Sequence, residues 1–146
     1  MDLLRFLPHG PPLRLLTGID AVGDDHVQAR GLIPRDAPGA TEHGVPAILG
    51  IELGAQSTAM IAAAAIAAVG ESPTPRLGYL VSLRAVTLHV PFLPTGVELR
   101  VAARRIGGAG GFEMFEVAVR RPGEEAPAVE GVVGTLLTDQ KIALGT

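Results

Sequence analysis

Charged residues almost vanish from the chain between Val45 and Val69, where it reads VPAILGIELGAQSTAMIAAAAIAAV. Pro46 stands where a first helical residue would, and the run stops at Gly70, ahead of Pro73 and Pro75. Both ends are therefore marked, and the pattern predicts one long helix over Val45–Val69. Ile48, Leu49, Ile51, Leu53, Met60, Ile61 and Ile66 do not gather on a single stripe, and a helix apolar all round belongs inside a protein. Glu52 is the single charge in the run. It must reach water, pair with an arginine, or be held for a purpose. Gln56 follows one turn later on the same face, about 40° away. Gly50 and Gly54 flank the two as places for close approach of backbone or ligand. The alanines Ala62 to Ala65 form a small-residue face that would let a curved sheet come close.

Outside the helix the period changes to that of strands. Leu13 to Ala21 and His26 to Ile33 read as neighbouring strands separated by the turn signal Gly23-Asp24-Asp25. Arg35 to Gly44 is a polar loop leading into the helix. Strand candidates then follow at Leu77 to Val81, Ala85 to Val90, Val97 to Ile106, Phe112 to Arg121 and Ala128 to Thr138, of which the first two can be one bent strand. Gly107 to Gly111 supplies a hairpin turn. Helix and strands are thus segregated, which predicts an α+β protein with a mostly antiparallel sheet.

The length of 146 residues suits one domain spanning 1–146. Formal net charge is −3, and arginines pair only at Arg104, Arg105 and Arg120, Arg121, so nucleic acid is not an expected partner. With no cysteine, and with His9, His26, His43 and His89 in no ligand spacing, no metal is expected. The amino terminus has too short an apolar run for a secretory signal. The central helix is long enough for a bilayer, but Glu52 and Gln56 argue against insertion. A soluble cytoplasmic protein without a membrane partner is the expectation.

Two segments carry a resemblance. FLPHGPPLRLLTGI, residues 6–19, is similar to L-P-H-R-x-P-F-L-L-V-D-R-V, with Leu7, Pro8, His9, Pro12, Leu15 and Leu16 in register and Thr17 in place of aspartate. VPAILGIELGAQ, residues 45–56, is similar to M-P-G-V-L-I-I-E-A-M-A-Q, with Pro46, Leu49, Ile51, Glu52, Ala55 and Gln56 in register. A third, looser match runs through residues 80–99, where Pro91 and Pro94 coincide with the prolines of L-A-G-I-x-x-A-R-F-x-R-P-V-x-P-G-D-x-L. These are motifs of the β-hydroxyacyl-acyl carrier protein dehydratases, which have the hot-dog fold, an antiparallel sheet wrapped around a long central helix. A kept L-P-H with a kept VPAxxGIExxAQ resembles a divergent branch, the dehydratases of aryl-polyene biosynthesis, whose members work beside other hot-dog dehydratases.

The resemblance implies a mechanism. A histidine and an acidic residue from opposite subunits of a dimer line a tunnel for the acyl-phosphopantetheine arm. The histidine removes the proton α to the thioester, and the carboxylic acid helps the β-hydroxyl leave as water. Backbone N–H groups at the helix start could polarise the thioester carbonyl. Glu52 matches the acid. The family histidine lies in G-H-F-P-G-x-P-V-M-P-G, eight residues before the proline matching Pro46, and that position here is Pro38. His43 is the nearest candidate base and His9 its alternative. Gln56, bonded to Glu52 or to a loop carbonyl, would orient the site. Pro46, Ala47, Ser82 and Leu83 join Gln56 as expected substrate-binding residues. Tyr79 could stand near the mouth, while His26 and His89 read as sheet or surface residues.

The expected activity is dehydration of a β-hydroxyacyl thioester to the 2-enoyl thioester, in fatty-acid-like, polyketide or polyene biosynthesis. No cofactor is implied beyond the phosphopantetheine of an acyl carrier protein. A homodimer, or a heterodimer with another hot-dog dehydratase, would cover the free sheet edge. A hot-dog thioesterase and a non-catalytic partner subunit are the rival expectations.

Overall fold

The computed structural model describes residues 2–6, 14–71 and 77–138. After a 3-10 turn at Leu3–Phe6 come β1 (Leu16–Val22), β2 (His26–Leu32), β3 (Val45–Pro46), α1 (Leu49–Ala68), β4 (Leu77–Leu88), β5 (Phe92–Leu93), β6 (Glu98–Ala109), β7 (Phe112–Arg120) and β8 (Val129–Thr138). Six strands make one antiparallel sheet in the order β1-β2-β6-β7-β8-β4, and β3 and β5 form a separate two-stranded ribbon. The expected segregation of helix and strands is what is found.

Alternation decides which face of the sheet receives the helix. Val27 and Ala29 on β2, Leu99, Val101 and Ala103 on β6, Phe115, Val117 and Val119 on β7, and Val129 and Val133 on β8 all point inward and are buried. They pack with Ile51, Leu53, Met60 and Ile61 of α1 in one core. Each of these side chains larger than alanine contributes up to about 1.5–3 kcal/mol by leaving water. Close approach of helix to sheet is made at glycines, and Ala63 of the alanine run is buried as well. A Cβ on Gly54 would lie 2.9 Å from Val117 Cβ, and one on Gly50 would lie 3.0 Å from Leu93 Cδ1. Ala65, by contrast, is exposed. Half of α1 is buried inside the protein, which is the packing of a core helix, although its length and composition would also suit a membrane span.

The helix starts later than Pro46 suggests. Val45 and Pro46 pair with Leu93 and Phe92 as the β3–β5 ribbon, and the Ala47 N–H donates to the Pro91 carbonyl at 3.0 Å. With the backbone captured there, helical bonding begins only when Gly50 N–H reaches the Ala47 carbonyl at 2.9 Å. Proline suits this place because the ribbon asks no donor of it. The two-residue strand β5 carries too short a pattern to read in sequence.

The segments Leu77 to Val81 and Ala85 to Val90 are one strand, β4, kinked by register shifts after Leu80 and after Arg84. Ala85 takes a left-handed φ of 51°, which marks the second bulge. Between β6 and β7 the strand runs on through Gly107 and Gly108. The reversal is confined to Gly110 and Gly111, both at positive φ, as a tight hairpin turn requires.

Candidate active site

Glu52 sits in the first turn of α1, half-buried, on a face that opens toward the start of β4. Together with Pro38, Gly39, Pro46, Ile48, Leu49, Ile51, Leu80 and Leu83 it lines a cleft of about 320 Å3. The helix supplies the floor, the loop after β2 and the β3 ribbon supply one wall, and β4 the other. Apart from Glu52, every one of these side chains is apolar or absent. The cleft is therefore an apolar slot with a carboxyl group in it, a shape and lining suited to an apolar ligand.

Gln56 lies directly behind Glu52 and is 2% exposed. Its Oε1 accepts the backbone N–H of Leu15 at 2.8 Å and that of Leu16 at 3.4 Å, and its Nε2 donates to Glu52 Oε1 at 3.3 Å. The bond to Glu52 was legible in the spacing of four. Its Oε1 takes a pair of amide N–H groups, because the chain entering β1 presents its donors to the helix. Ser57 and Thr58, also buried, donate back to the carbonyls of Gly54 and Ala55 and take no part in the cleft.

The other expected site residues divide. Pro46 and Leu83 line the cleft. Ala47 is fully buried beneath it. Ser82 lies on the far face of the sheet: it pairs with Gly134, where a Cβ would collide with Ser82 Oγ and the Phe112 ring, whereas the adjacent Val133 points into the core. The bulge after Leu80 turns it there, so Leu80 rather than Ser82 accompanies Leu83 in the cleft.

His43 is not among the residues lining the cleft. It rides on a tight turn closed by Thr41 and Gly44, with its side chain 67% exposed, its ring 5.7 Å from that of Phe92 and its Nε2 3.4 Å from Glu42. That turn holds it on the outside of the ribbon. His9 lies outside the described residues, and so does the side chain of Tyr79. His26 and His89 are surface residues, as expected, and face Asp25 and Glu130. Pro38 is the informative neighbour: the position at which the resemblance places the histidine is a wall of the cleft, and it is apolar.

A larger depression, of about 520 Å3, lies on the opposite face of the sheet between His26, Arg104, Glu116, Arg120 and Glu130. Its charged groups are engaged locally, Arg104 with Glu116 at 3.0 Å and Arg120 with the Glu125 carbonyl at 2.8 Å. The smaller cleft holds the better chemistry, since there a carboxyl group faces apolar walls.

Solved structures similar to the chain share its architecture. A chain of the dehydratase heterocomplex ApeI:P from Xenorhabdus doucetiae superposes with a TM-score of 0.82 at 26% identity, covering 96% of this chain and 93% of that one. A sigma28-regulated virulence protein from Campylobacter jejuni gives 0.63 at 14% identity over 97% and 99% of the two chains. A hypothetical thioesterase with coenzyme A from Streptococcus pneumoniae gives 0.56 at 10% over 85% and 87%. These last two show the fold alone. No curated protein gave a significant sequence match. Helix, sheet and neighbours together give a hot-dog fold, and the chain, matching the family's sequence profile over residues 1–140, belongs to the ApeP-like dehydratase family.

Proposed function

We propose that the chain is the acid-bearing subunit of a heterodimeric dehydratase that eliminates water from a β-hydroxyacyl thioester carried on an acyl carrier protein. The observation that carries this reading is the cleft itself: Glu52 among apolar walls, with Pro38 where the resemblance would place a histidine, and one wall formed by the outer strand of the sheet. Elimination needs a base at Cα and an acid at the β-oxygen. The base takes the α-proton, its electron pair becomes the Cα=Cβ bond, the Cβ–O bond breaks, and Glu52 protonates the departing oxygen to water. A partner docked along β4 closes the open wall and brings the base.

The ApeI:P structure supports such an assembly, since it is a dehydratase heterocomplex. So does the surface beside the cleft. Ile48, Leu80, Val81 and Leu83 are large apolar side chains exposed at 41–52%. An apolar edge strand left bare invites pairing with another chain. The carrier-protein substrate follows from the resemblance, and its apolar acyl chain suits these walls.

The test is to assay the purified chain alone and after co-expression with a hot-dog dehydratase partner, following conversion of a β-hydroxyacyl carrier protein to the 2-enoyl product. Turnover is expected only with the partner, and Glu52→Gln should lower it by roughly 100- to 10,000-fold. An unchanged rate in Glu52→Gln sinks the assignment. Release of carrier-protein thiol with no enoyl product would identify a thioesterase instead.

A further inference from the structure

Strand β4 ends the sheet on one side, pairing among the described residues only with β8. Its sequence, LGYLVSLRAVTL, holds a single charge, Arg84, and no carboxylate. Arg84 is exposed and stands directly opposite Val132 of β8. Val133, the next residue of β8, points into the core, so Val132 and Arg84 lie on the outer face of the sheet. Ser82, Leu83 and Arg84 form the regular run between the two register shifts of β4, which places Arg84 where a facing strand can pair. Among the described residues Arg84 has no hydrogen-bond or ion-pair partner. The carboxylates nearest in register are engaged elsewhere: Glu116, opposite Val132, with Arg104 at 3.0 Å, and Glu130, opposite Thr87, with His89 Nε2 at 3.7 Å.

We infer that Arg84 decides which chain completes the sheet: it opposes a second copy of this chain along β4 and selects a hot-dog partner whose own edge strand carries an aspartate or glutamate. This rests on the reading of β4 as the docking edge. Two copies meeting there would be related by a two-fold axis and would lay β4 against β4. In no register does that strand present a carboxylate to Arg84, because it has none. The copy's Glu130 lies one strand further in, about 5 Å beyond the facing strand, and is turned to His89. Self-association would therefore bring two arginines to an apolar contact with nothing to pair them, and an uncompensated charge taken from water opposes binding. Leu80, Val81 and Leu83, exposed at 41–52%, favour contact with any apolar edge and so give no choice between a copy and a partner. The choice falls to the one charge among them. A carboxylate on the facing strand turns the same arginine from an obstacle into half of a charge-assisted hydrogen bond.

Sedimentation of the isolated chain tests the first half. The wild type is expected to stay monomeric, whereas Arg84→Leu should dimerise, its dissociation constant falling by about 100-fold or more. Arg84→Gln, neutral but polar, should dimerise too, which separates loss of the charge from the stickiness of an added leucine. Arg84→Lys keeps the charge and should behave as the wild type. Hydrogen exchange should show the amides of residues 80–84 protected in the variant dimers. A wild-type chain that already dimerises with those amides protected, or neutral variants that both stay monomeric, would overturn the inference. Arg84 is exposed, so none of these substitutions threatens the fold.

Mixing tests the second half. With a co-expressed hot-dog dehydratase, Arg84→Leu should weaken the heterodimer by roughly 10- to 100-fold, since a carboxylate of the partner is then buried unpaired. Each aspartate and glutamate on the partner's edge strand is changed in turn to its amide, and one of these changes should cost affinity with the wild-type chain and little with Arg84→Leu. A heterodimer indifferent to Arg84 would overturn the inference. If the wild-type chain does not associate with the dehydratase, the heterodimer reading is what has failed, while sedimentation of the isolated variants still decides whether Arg84 blocks self-pairing. If the heterodimer forms and dehydrates nothing, the failure is that of the catalytic reading, and the affinities still decide the role of Arg84.

Discussion

The two outer strands of the six-stranded sheet treat water in opposite ways. β1 turns Thr17 and Asp20 outward, carries two register shifts, and ties Asp20 to Arg30 of β2 at 2.8 Å. Charge and irregularity make it a poor template for another strand. β4 exposes Leu80, Val81, Leu83 and Leu88, each at 41–52%. Two of these, Leu80 and Leu83, belong to the wall of the Glu52 cleft. One edge is charged and irregular, the other apolar, and the apolar edge borders the Glu52 cleft.

Assembly should separate the two edges most sharply. Leu80→Glu with Leu83→Glu is expected to abolish association with the partner and dehydration together, because two carboxylates would be buried in an apolar contact. Thermal unfolding of the isolated chain should change little, since both positions are already exposed. Asp20→Leu on β1 should leave association intact in sedimentation. The reverse outcome would assign the interface to β1.

Next in size is the fit of helix to sheet beneath the cleft. Gly54→Ala puts a methyl 2.9 Å from Val117 Cβ, and Val117 belongs to the rigid centre of the sheet. Such overpacking costs about 1–3 kcal/mol. Calorimetry should show Tm falling by roughly 2–4 °C for each kcal/mol. An unchanged Tm would mean that the helix shifts freely, and that Glu52 is not held by packing.

Smaller still is the ion pair on β1. Asp20 and Arg30 are 50% and 38% exposed, so screening by water limits Asp20→Ala to about 1 kcal/mol or less. Denaturant unfolding that showed more would make β1 a structural edge rather than a solvated one.

The least effect concerns Asp25 in the turn between β1 and β2. The hydrogen bond from His26 holds its carboxyl below the ordinary aspartate range, with the His26 and Arg104 charges adding in the same direction. A carboxyl lowered by folding adds stability above its unfolded value, and loses it as pH falls through the folded one. Carbonyl 13C titration should place the Asp25 midpoint below that of a free aspartate, and His26→Ala should raise it. Asp25 is exposed, so thermal unfolding should hardly register the change.

Part of the candidate cleft is legible in the sequence. Pro46, Glu52, Gln56 and Leu83 could be named from motif and spacing, and the Glu52–Gln56 bond follows from a helix that places residues four apart on one face. Ser82 could not be placed, because a bulge after Leu80 reverses the alternation that a regular strand would keep. His43 stands three residues before Pro46 in the chain, yet the Thr41–Gly44 turn carries it onto the surface beside Phe92. Sequence distance in a loop says little about spatial distance, whereas in a helix it says nearly everything.

By itself the chain determined its class, its one long helix, its succession of antiparallel strands and its single carboxylate in an apolar run. Those rest on periodicity and composition, which are local. Only the tertiary structure decided that Val45 and Pro46 belong to a ribbon with Phe92 and Leu93, that Pro38 walls the cleft, and that the Leu15 and Leu16 amides bond the Gln56 side chain. The ribbon and the bonds to Gln56 join residues far apart in the chain through backbone groups that every residue carries, and for that reason no side-chain pattern announces them.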